Sequence, residues 1–341
     1  MKKINLSFSK KKSQRNIGLD IGNYNLKVAE IEIKDGSAQI LNLGMKEIRQ
    51  TDNISAAIKE LLKESGISTK EVNIAIAGEN VVARYLSLPK MDDDELKKAM
   101  SFALEDHIPF KSEEIYMDYS ILGDEPNSKN KIRVFLVASK KELLENRIQL
   151  VQEAGLKPGL ITMDALAVKN TFYFNYPEKE KTNVALLNVG DKITNLLITK
   201  EKLPFFVRDT RFGGDAITNL IQTKLELSRE KAQELKHHLT QANKDISEVI
   251  KSSLANLLNE IFVSLDFYEN LTEQRIEEVY ICGGTSQLLG LKEFLRGYLD
   301  LEIFNLDPFK NFSFSSKVPQ ETTAQLLPYF AVAIGLALEE P

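Results

Sequence analysis

The sequence predicts an α/β protein made of two related halves with a cleft between them, and three observations carry this. Residues 16–33, NIGLDIGNYNLKVAEIEI, read as an apolar strand, a tight polar turn and a second strand alternating apolar and charged residues. Residues 183–207, NVALLNVGDKITNLLITKEKLPFFV, repeat that design: with Asn188 set on Asp20, Gly190 falls on Gly22 and two more strands follow. Amphipathic helices then succeed the strands in both halves. A solenoid repeats short units many times, whereas one repeat at this long spacing fits a duplicated domain.

The totals agree with a two-domain globular chain. Its 341 residues can bury a sizeable core, and 43% hydrophobic against 27% charged residues is ordinary for one. A net charge of −5 speaks against nucleic acid as a partner, which calls for a basic face. Cys282 is the single cysteine, so no internal disulfide can form and a reducing compartment is expected. With three histidines beside it, a classical zinc site is not expected. The longest apolar run, LLPYFAVAIGLAL at 326–338, contains a proline and is too short for a bilayer span. The first fifteen residues lack a signal-peptide core and hold six bases without an acid. They read as a flexible basic arm, with weak attraction to an anionic membrane surface as the sharper alternative.

After the opening hairpin, Lys34, Asp35, Gly36 and Ser37 make a turn and AQILNLG a third strand. DNISAAIKELLKES is a helix capped by Asp52 or Thr51 and ended by Gly66; EVNIAIAGENVVARYLSLP is strand-like at both ends. DDDELKKAMSFALEDHIPF is an acid-started helix stopped at Ile108 and Pro109. SEEIYMDYSIL and KIRVFLVAS are strands joined through GDEPNSKNK, and KKELLENRIQLVQEAG is a helix closed by Gly155. This β-rich stretch, about 86–160, is an insert on a first domain of 16–180. The second domain, 181–341, carries a helical insert at about 212–275: FGGDAITNLIQTKLEL, SREKAQELKHHL and a long helix through ISEVIKSSLANLLNEIFVSLDFYENL. VYICGG is a strand, a helix begins near Ser286, and a buried helix from about 322 to 338 closes the chain. Phe172, Tyr173, Phe174 and Tyr176 are packing aromatics, and His107, His237 and His238 surface or boundary residues.

The chemistry concentrates in three glycine turns. At Gly22, backbone N–H groups form a small concavity, Asn23 and Asn25 suit the turn, and Lys27 can reach a phosphate. Asp20 beside such a cradle can hold the water shell of Mg²⁺. Either hairpin alone is as well explained as a plain turn with a solvated acid. Two facing copies can grip a polyphosphate from opposite sides. The third turn, Cys282-Gly283-Gly284-Thr285 between a strand and a helix, brings backbone and a helix N-terminus to the same ligand.

In this order the elements resemble the actin/Hsp70/sugar-kinase ATPase fold, and within it the PilM family of type IV pilus assembly, a relative of the division protein FtsA. The resemblance runs from about residue 17 to 338 on LDIGNYNLKVAEI, LPKMDDDELKKAMSFALEDHIPF, VFLVASKKELLENRIQLVQEAGLKP, FGGDAITNLI and CGGTSQLLGL; the second and third passages are the specific ones. It implies duplicated actin/Hsp70-like (RNase H-like) α/β domains, an interdomain nucleotide cleft, and a small β-rich inserted subdomain of the FtsA/PilM type. It further implies ATP with Mg²⁺ in that cleft. Phosphates would lie on Asp20, Gly22, Asn23, Tyr24, Asn25 and Lys27 from one side and on Gly190 and Asp191, after Asn188, from the other. Gly214 and Asp215 would border the nucleotide, Gly283, Gly284 and Thr285 flank the adenosine, and Lys236 lie near the base.

Three departures bear on activity. Asn188 stands where many relatives have Asp, Gln233 replaces the acid expected after Ala232, and no side chain is assigned to the attacking water. ATP is therefore expected to act mainly as a conformational ligand, with at most slow hydrolysis. The chain stops soon after its closing helix, without the amphipathic tail usual in FtsA-like proteins. The resemblance implies instead a cytoplasmic protein held at the inner face of the membrane by a partner, with no direct membrane contact. That partner is the N-terminal peptide of a PilN-like inner-membrane protein, docked between the first core and the insert. Lys3-Ile4-Asn5-Leu6 resembles the core of that peptide, which raises self-association beside plain coincidence. Rival readings are an FtsA-like cytoskeletal ATPase, a small-molecule kinase of the same fold, and a nucleotide-free scaffold.

Overall fold

The computed structural model describes residues 14–34, 36–49, 52–125, 128, 130–237, 244–318 and 320–339. Most of the basic arm, including Lys3 to Leu6, together with Thr51 and His238, lies outside these. Gln14 and Arg15, expected in the arm, already belong to the first strand.

The first lobe opens with β1 (Gln14–Ile21), β2 (Asn25–Lys34) and β3 (Ser37–Glu47), then α1 (Ile54–Glu64) and β4 (Glu71–Ile76). β5 (Val81–Pro89), α2 (Asp93–His107), β6 (Ile115–Asp124) and β7 (Lys131–Lys140) make the insert; α3 (Lys141–Glu153), β8 (Lys157–Met163) and α4 (Asp164–Asn175) follow. The second lobe holds β9 (Val184–Val189), β10 (Thr194–Lys200), β11 (Leu203–Thr210), α5 (Gly214–Leu225), α6 (Arg229–His237), α7 (Lys244–Thr272) and β12 (Glu278–Cys282). α8 (Leu291–Leu299), β13 (Glu302–Asn305), β14 (Ser313–Phe314), α9 (Gln320–Leu326) and α10 (Ala331–Ala337) complete the chain.

The duplication is topological. One sheet runs β14-β3-β2-β1-β4-β8, the other β11-β10-β9-β12-β13, and in both an antiparallel meander is extended by parallel strands. Register is duplicated as well: Asp20 opposes Lys27 across β1 and β2, and Asn188 opposes Asn195 across β9 and β10. β9, VALLNV, is buried at every position because helices cover both faces of its sheet.

α4 and α10 lie between the sheets and join the lobes. Ala165, Phe172 and Leu336 share one core with Leu186 and Tyr280 of the second sheet. All seven residues of α10 are buried, and a Cβ on Gly335 would stand 1.7 Å from the carbonyl oxygen of Ala167, so the two helices cross in backbone contact. The expected packing aromatics are here: Phe172 stacks on Tyr176 at 5.1 Å and meets Tyr280 edge-on at 4.6 Å.

Several expectations shift. The separate three-stranded sheet, β5-β7-β6, spans Val81 to Lys140 and not 86–160, since Val151 of α3 packs in the first core and β8 pairs with β4. α1 is capped by Asn53, whose side chain accepts from Ala56 N at 2.9 Å; Asp52 instead accepts from Arg49 N. No α-helix starts near Ser286: Gly284–Gln287 is a short 3₁₀ turn and α8 begins at Leu291, after Gly290 with φ of 82°. The closing helix is broken around Pro328, which has no N–H to continue it. The acid-started helix α2 does form, with Asp92 accepting from the N–H groups of Asp94 and Glu95.

Candidate functional site

The two glycine turns face each other across a cavity of about 370 Å³ between the lobes, within the ~300–1,000 Å³ range of small-molecule sites. A Cβ on Gly22 would stand 2.7 Å from the carbonyl oxygen of Asn25, and one on Gly190 2.7 Å from that of Ile193. Both turns are therefore folded so tightly that only glycine fits; in the second, Gly190 N–H donates to Ile193 O at 3.0 Å and the Gly190 carbonyl accepts from Gly214 N–H and the Thr285 hydroxyl.

Of the residues named from sequence, Asp20, Gly22, Asn23, Tyr24, Asn25 and Lys27 line the cavity on one side. Asn188, Gly190, Asp191, Lys236, Gly283, Gly284 and Thr285 line it on the other. Gly214 and Asp215 stand behind this wall. Gly214 packs under Thr285 and Lys236, and the Asp215 carboxylate pairs with Arg229. The third turn presents backbone but no α-helix N-terminus, and the Gly283 N–H is already bonded to Pro328 O at 2.8 Å. His237, expected as a surface or boundary residue, is exposed and borders the cavity, its Nε2 3.1 Å from Gln233 Nε2.

The electrostatics are mixed. Lys27 Nζ bonds Asp20 Oδ2 at 2.9 Å, both side chains being nearly withdrawn from solvent. Lys236 Nζ reaches Gly214 O at 3.0 Å; burial lowers its pKa while Asp191 and Asp215 oppose that shift. Burial raises Asp191 against the pull of Lys236. Tyr24 is raised by burial and then by Glu47, with Gln233 of the opposite lobe as a further hydrogen-bonding neighbour.

Sequence reasoning passed over Asp164 and Arg147. Asp164, the first residue of α4, projects into the cavity, its carboxyl pushed up to about 7 by burial and by the neighbouring Asp20 and Asp209 carboxylates. Arg147 of α3 donates from Nη1 to Ile21 O at 3.0 Å, and burial lowers its pKa. An acid inside the apolar run ITMDALAV was the available signal, and a helix start accounts for it equally well.

The residues fit a magnesium nucleotide. Asp20, Asp164 and Asp191 line the cleft together with Lys27, Arg147 and Lys236, and a polyphosphate set against those carboxylates calls for a cation. Among the described residues no group of three or more His, Cys, Asp or Glu side chains is placed to cage a metal. Mg²⁺ is suited to such a place, because it takes phosphate oxygens and keeps several waters.

Comparison with known proteins agrees with this architecture. The structure is similar to a PilM-PilN type IV pilus biogenesis complex, with TM-score 0.85, 25% identity, and 96% of this chain and 99% of that one covered. It is also similar to MreB 5 of Spiroplasma citri bound to AMPPNP, with TM-score 0.54 and 10% identity over 95% of each chain, a likeness of fold. The sequence is 23% identical over 302 residues to the cell division protein FtsA of Enterococcus faecalis, covering 77% of this chain and 67% of the relative. The duplicated lobes are thus an actin-like fold. The family described as Type IV pilus assembly protein PilM matches residues 18–341. The chain belongs to the PilM family of type IV pilus assembly proteins.

Proposed function

We propose that this chain binds ATP with Mg²⁺ between its lobes and uses the nucleotide mainly as a conformational ligand, at most a slowly hydrolysed one. One observation carries the reading: two register-matched glycine turns, one from each lobe and each too tight for any other residue, face a single cavity. Asp20 would hold the metal through water, with Lys27 and the N–H groups after Gly22 on the phosphates and Gly190 and Asp191 opposite. Gly283, Gly284, Thr285 and Lys236 would border the adenosine. The bound ion would offset phosphate charge and orient the triphosphate. Magnesium is supported by the carboxylates that line the cleft, Asp20 first among them, and nucleotide by the actin-like fold.

The nucleotide's purpose, in this reading, is to set the pose of the insert. The insert is the proposed dock for the N-terminal cytoplasmic peptide of a PilN-like inner-membrane protein, in the groove it makes with the first core. Main-chain bonds and pockets for alternate side chains would hold the peptide. The protein would then sit at the inner face of the cytoplasmic membrane through that partner; no described helix is long and apolar enough to cross a membrane.

Calorimetry tests both parts. ATP with Mg²⁺ should bind the wild type and bind Asp20→Ala at least tenfold more weakly, as expected for a lost charge-assisted contact of about 1.5–3 kcal/mol. A synthetic peptide of the partner's first residues should bind with an affinity that changes when ATP is added. A wild type that binds neither ATP nor the peptide would rule the proposal out.

A further inference from the structure

The lobes differ at the position where duplication matches them. Asp20 faces Lys27 in the first lobe, but Asn188 faces Asn195 in the second. A third residue completes the second pair. Asn188 Nδ2 donates to Asn195 Oδ1 at 2.9 Å, and Asn195 Nδ2 donates to Asp209 Oδ1 at 2.7 Å. The other carboxylate oxygen, Asp209 Oδ2, accepts from Gly78 N–H of the first lobe at 2.6 Å.

Each link has a fixed sense. An ionised carboxylate only accepts, whereas a primary amide accepts at one arm and donates at the other. Asp209 therefore draws the NH₂ of Asn195, which turns the Asn195 oxygen toward Asn188. That oxygen draws the Asn188 NH₂, leaving Asn188 Oδ1 on the side of Gly283. A Cβ on Gly283 would stand 2.6 Å from this oxygen, which accepts a long, weak hydrogen bond from the Cys282 thiol at 3.8 Å. Asn188 and Gly283 both line the cleft.

We propose that Asp209 is the positioning residue of the second phosphate turn: acting through Asn195, it holds the Asn188 oxygen toward the cleft. A neutral amide then offers the water shell of Mg²⁺ the acceptor that a carboxylate would supply at this duplicated position. The inference rests on the nucleotide reading above. It also ties the amide's orientation to contact between lobes, since Gly78 belongs to the first.

The test is the ratio of ATP dissociation constants without and with Mg²⁺, measured by calorimetry in EDTA and in excess Mg²⁺. In Asp209→Asn, one arm becomes a donor, so Asn195 and then Asn188 reverse and an NH₂ faces the cleft. The ratio should fall roughly tenfold, the size of one hydrogen bond to a charged shell. The double variant Asn188→Asp with Asp209→Asn carries the same groups in reverse order and again turns a carboxylate oxygen to the cleft. Its ratio should return to within about threefold of wild type, a smaller change than one such bond. An unchanged ratio in Asp209→Asn, or a double variant no better than the single, overturns the inference. Should Asp209→Asn fail to fold, a double variant that folds and keeps the wild-type ratio supports it, and one that also fails to fold overturns it. A wild type that binds no ATP overturns the nucleotide reading as well, which separates the two failures.

Discussion

The rings of Tyr85, on the inserted sheet, and Phe205, on β11 of the second lobe, lie 4.8 Å apart and tilted by 35°. Phe205 in turn meets Tyr268 of α7 edge-on at 5.1 Å. Tyr85 and Phe205 both line a cavity of about 470 Å³, and their contact joins the insert to the lobe opposite its own. Under the proposed reading, any movement of the second lobe over a bound nucleotide would reach the insert through this contact.

Phe205→Ala should sever that contact. The ring is only partly buried, so the stability loss should be about 2–3 kcal/mol, below the value for a fully buried phenylalanine. Urea denaturation measures it. ATP affinity should stay within about twofold, while the effect of ATP on peptide affinity is lost, because the site itself is untouched and only the coupling is cut.

Lys27→Met should destabilise the ligand-free protein by about 3 kcal/mol, since it strands the Asp20 carboxylate in a nearly closed site. Adding Asp20→Asn should recover most of that loss, and a denaturant series on both singles and the double reads the coupling directly. Equal losses in Lys27→Met and in the double would show that the pair contributes nothing.

Asp164 predicts a pH dependence. Its folded pKa lies above the ordinary carboxylate value, so the protonated form is favoured by folding. The stabilisation is fully present below about pH 4 and is lost as pH rises toward and through 7. Asp164→Asn should thus match wild type near pH 4 and exceed it by on the order of 4 kcal/mol at pH 8, measured by denaturation at each pH. A difference independent of pH would contradict the assignment.

Gly22→Ala and Gly190→Ala should each weaken ATP binding by at least about tenfold, because a methyl group at either position meets a carbonyl oxygen and opens the turn. Gly297 in α8 is the control, with nothing within 4 Å of its added Cβ. Gly297→Ala should leave binding unchanged and raise stability by about 0.5–1 kcal/mol.

Much of this site was legible in the residues. The turns at Gly22 and Gly190 announce themselves through alternation and turn chemistry, properties of a few consecutive positions. Asn53 and the 3₁₀ turn at Gly284 were misjudged because several neighbouring residues can serve as a cap or a helix start, and only backbone geometry selects one. Asp164 and Arg147 were passed over for another reason. Each has an adequate local role, at a helix start and on an amphipathic helix, and nothing nearby in the chain points to the cleft.

By itself the sequence determined the two matched halves, the strand–turn–strand units and the order of helices around them, since hydrophobic period and turn residues act over short range. Only the tertiary structure decided which side chains share the cleft. The pairing of β1, β4 and β8 in one sheet brings Asp164 into the cleft beside Asp20, and the docking of Gly78 on Asp209 fixes how Asn188 is turned. Those are long-range contacts, whose energies depend on burial and on neighbours far away in the chain, and no local pattern of residues encodes them.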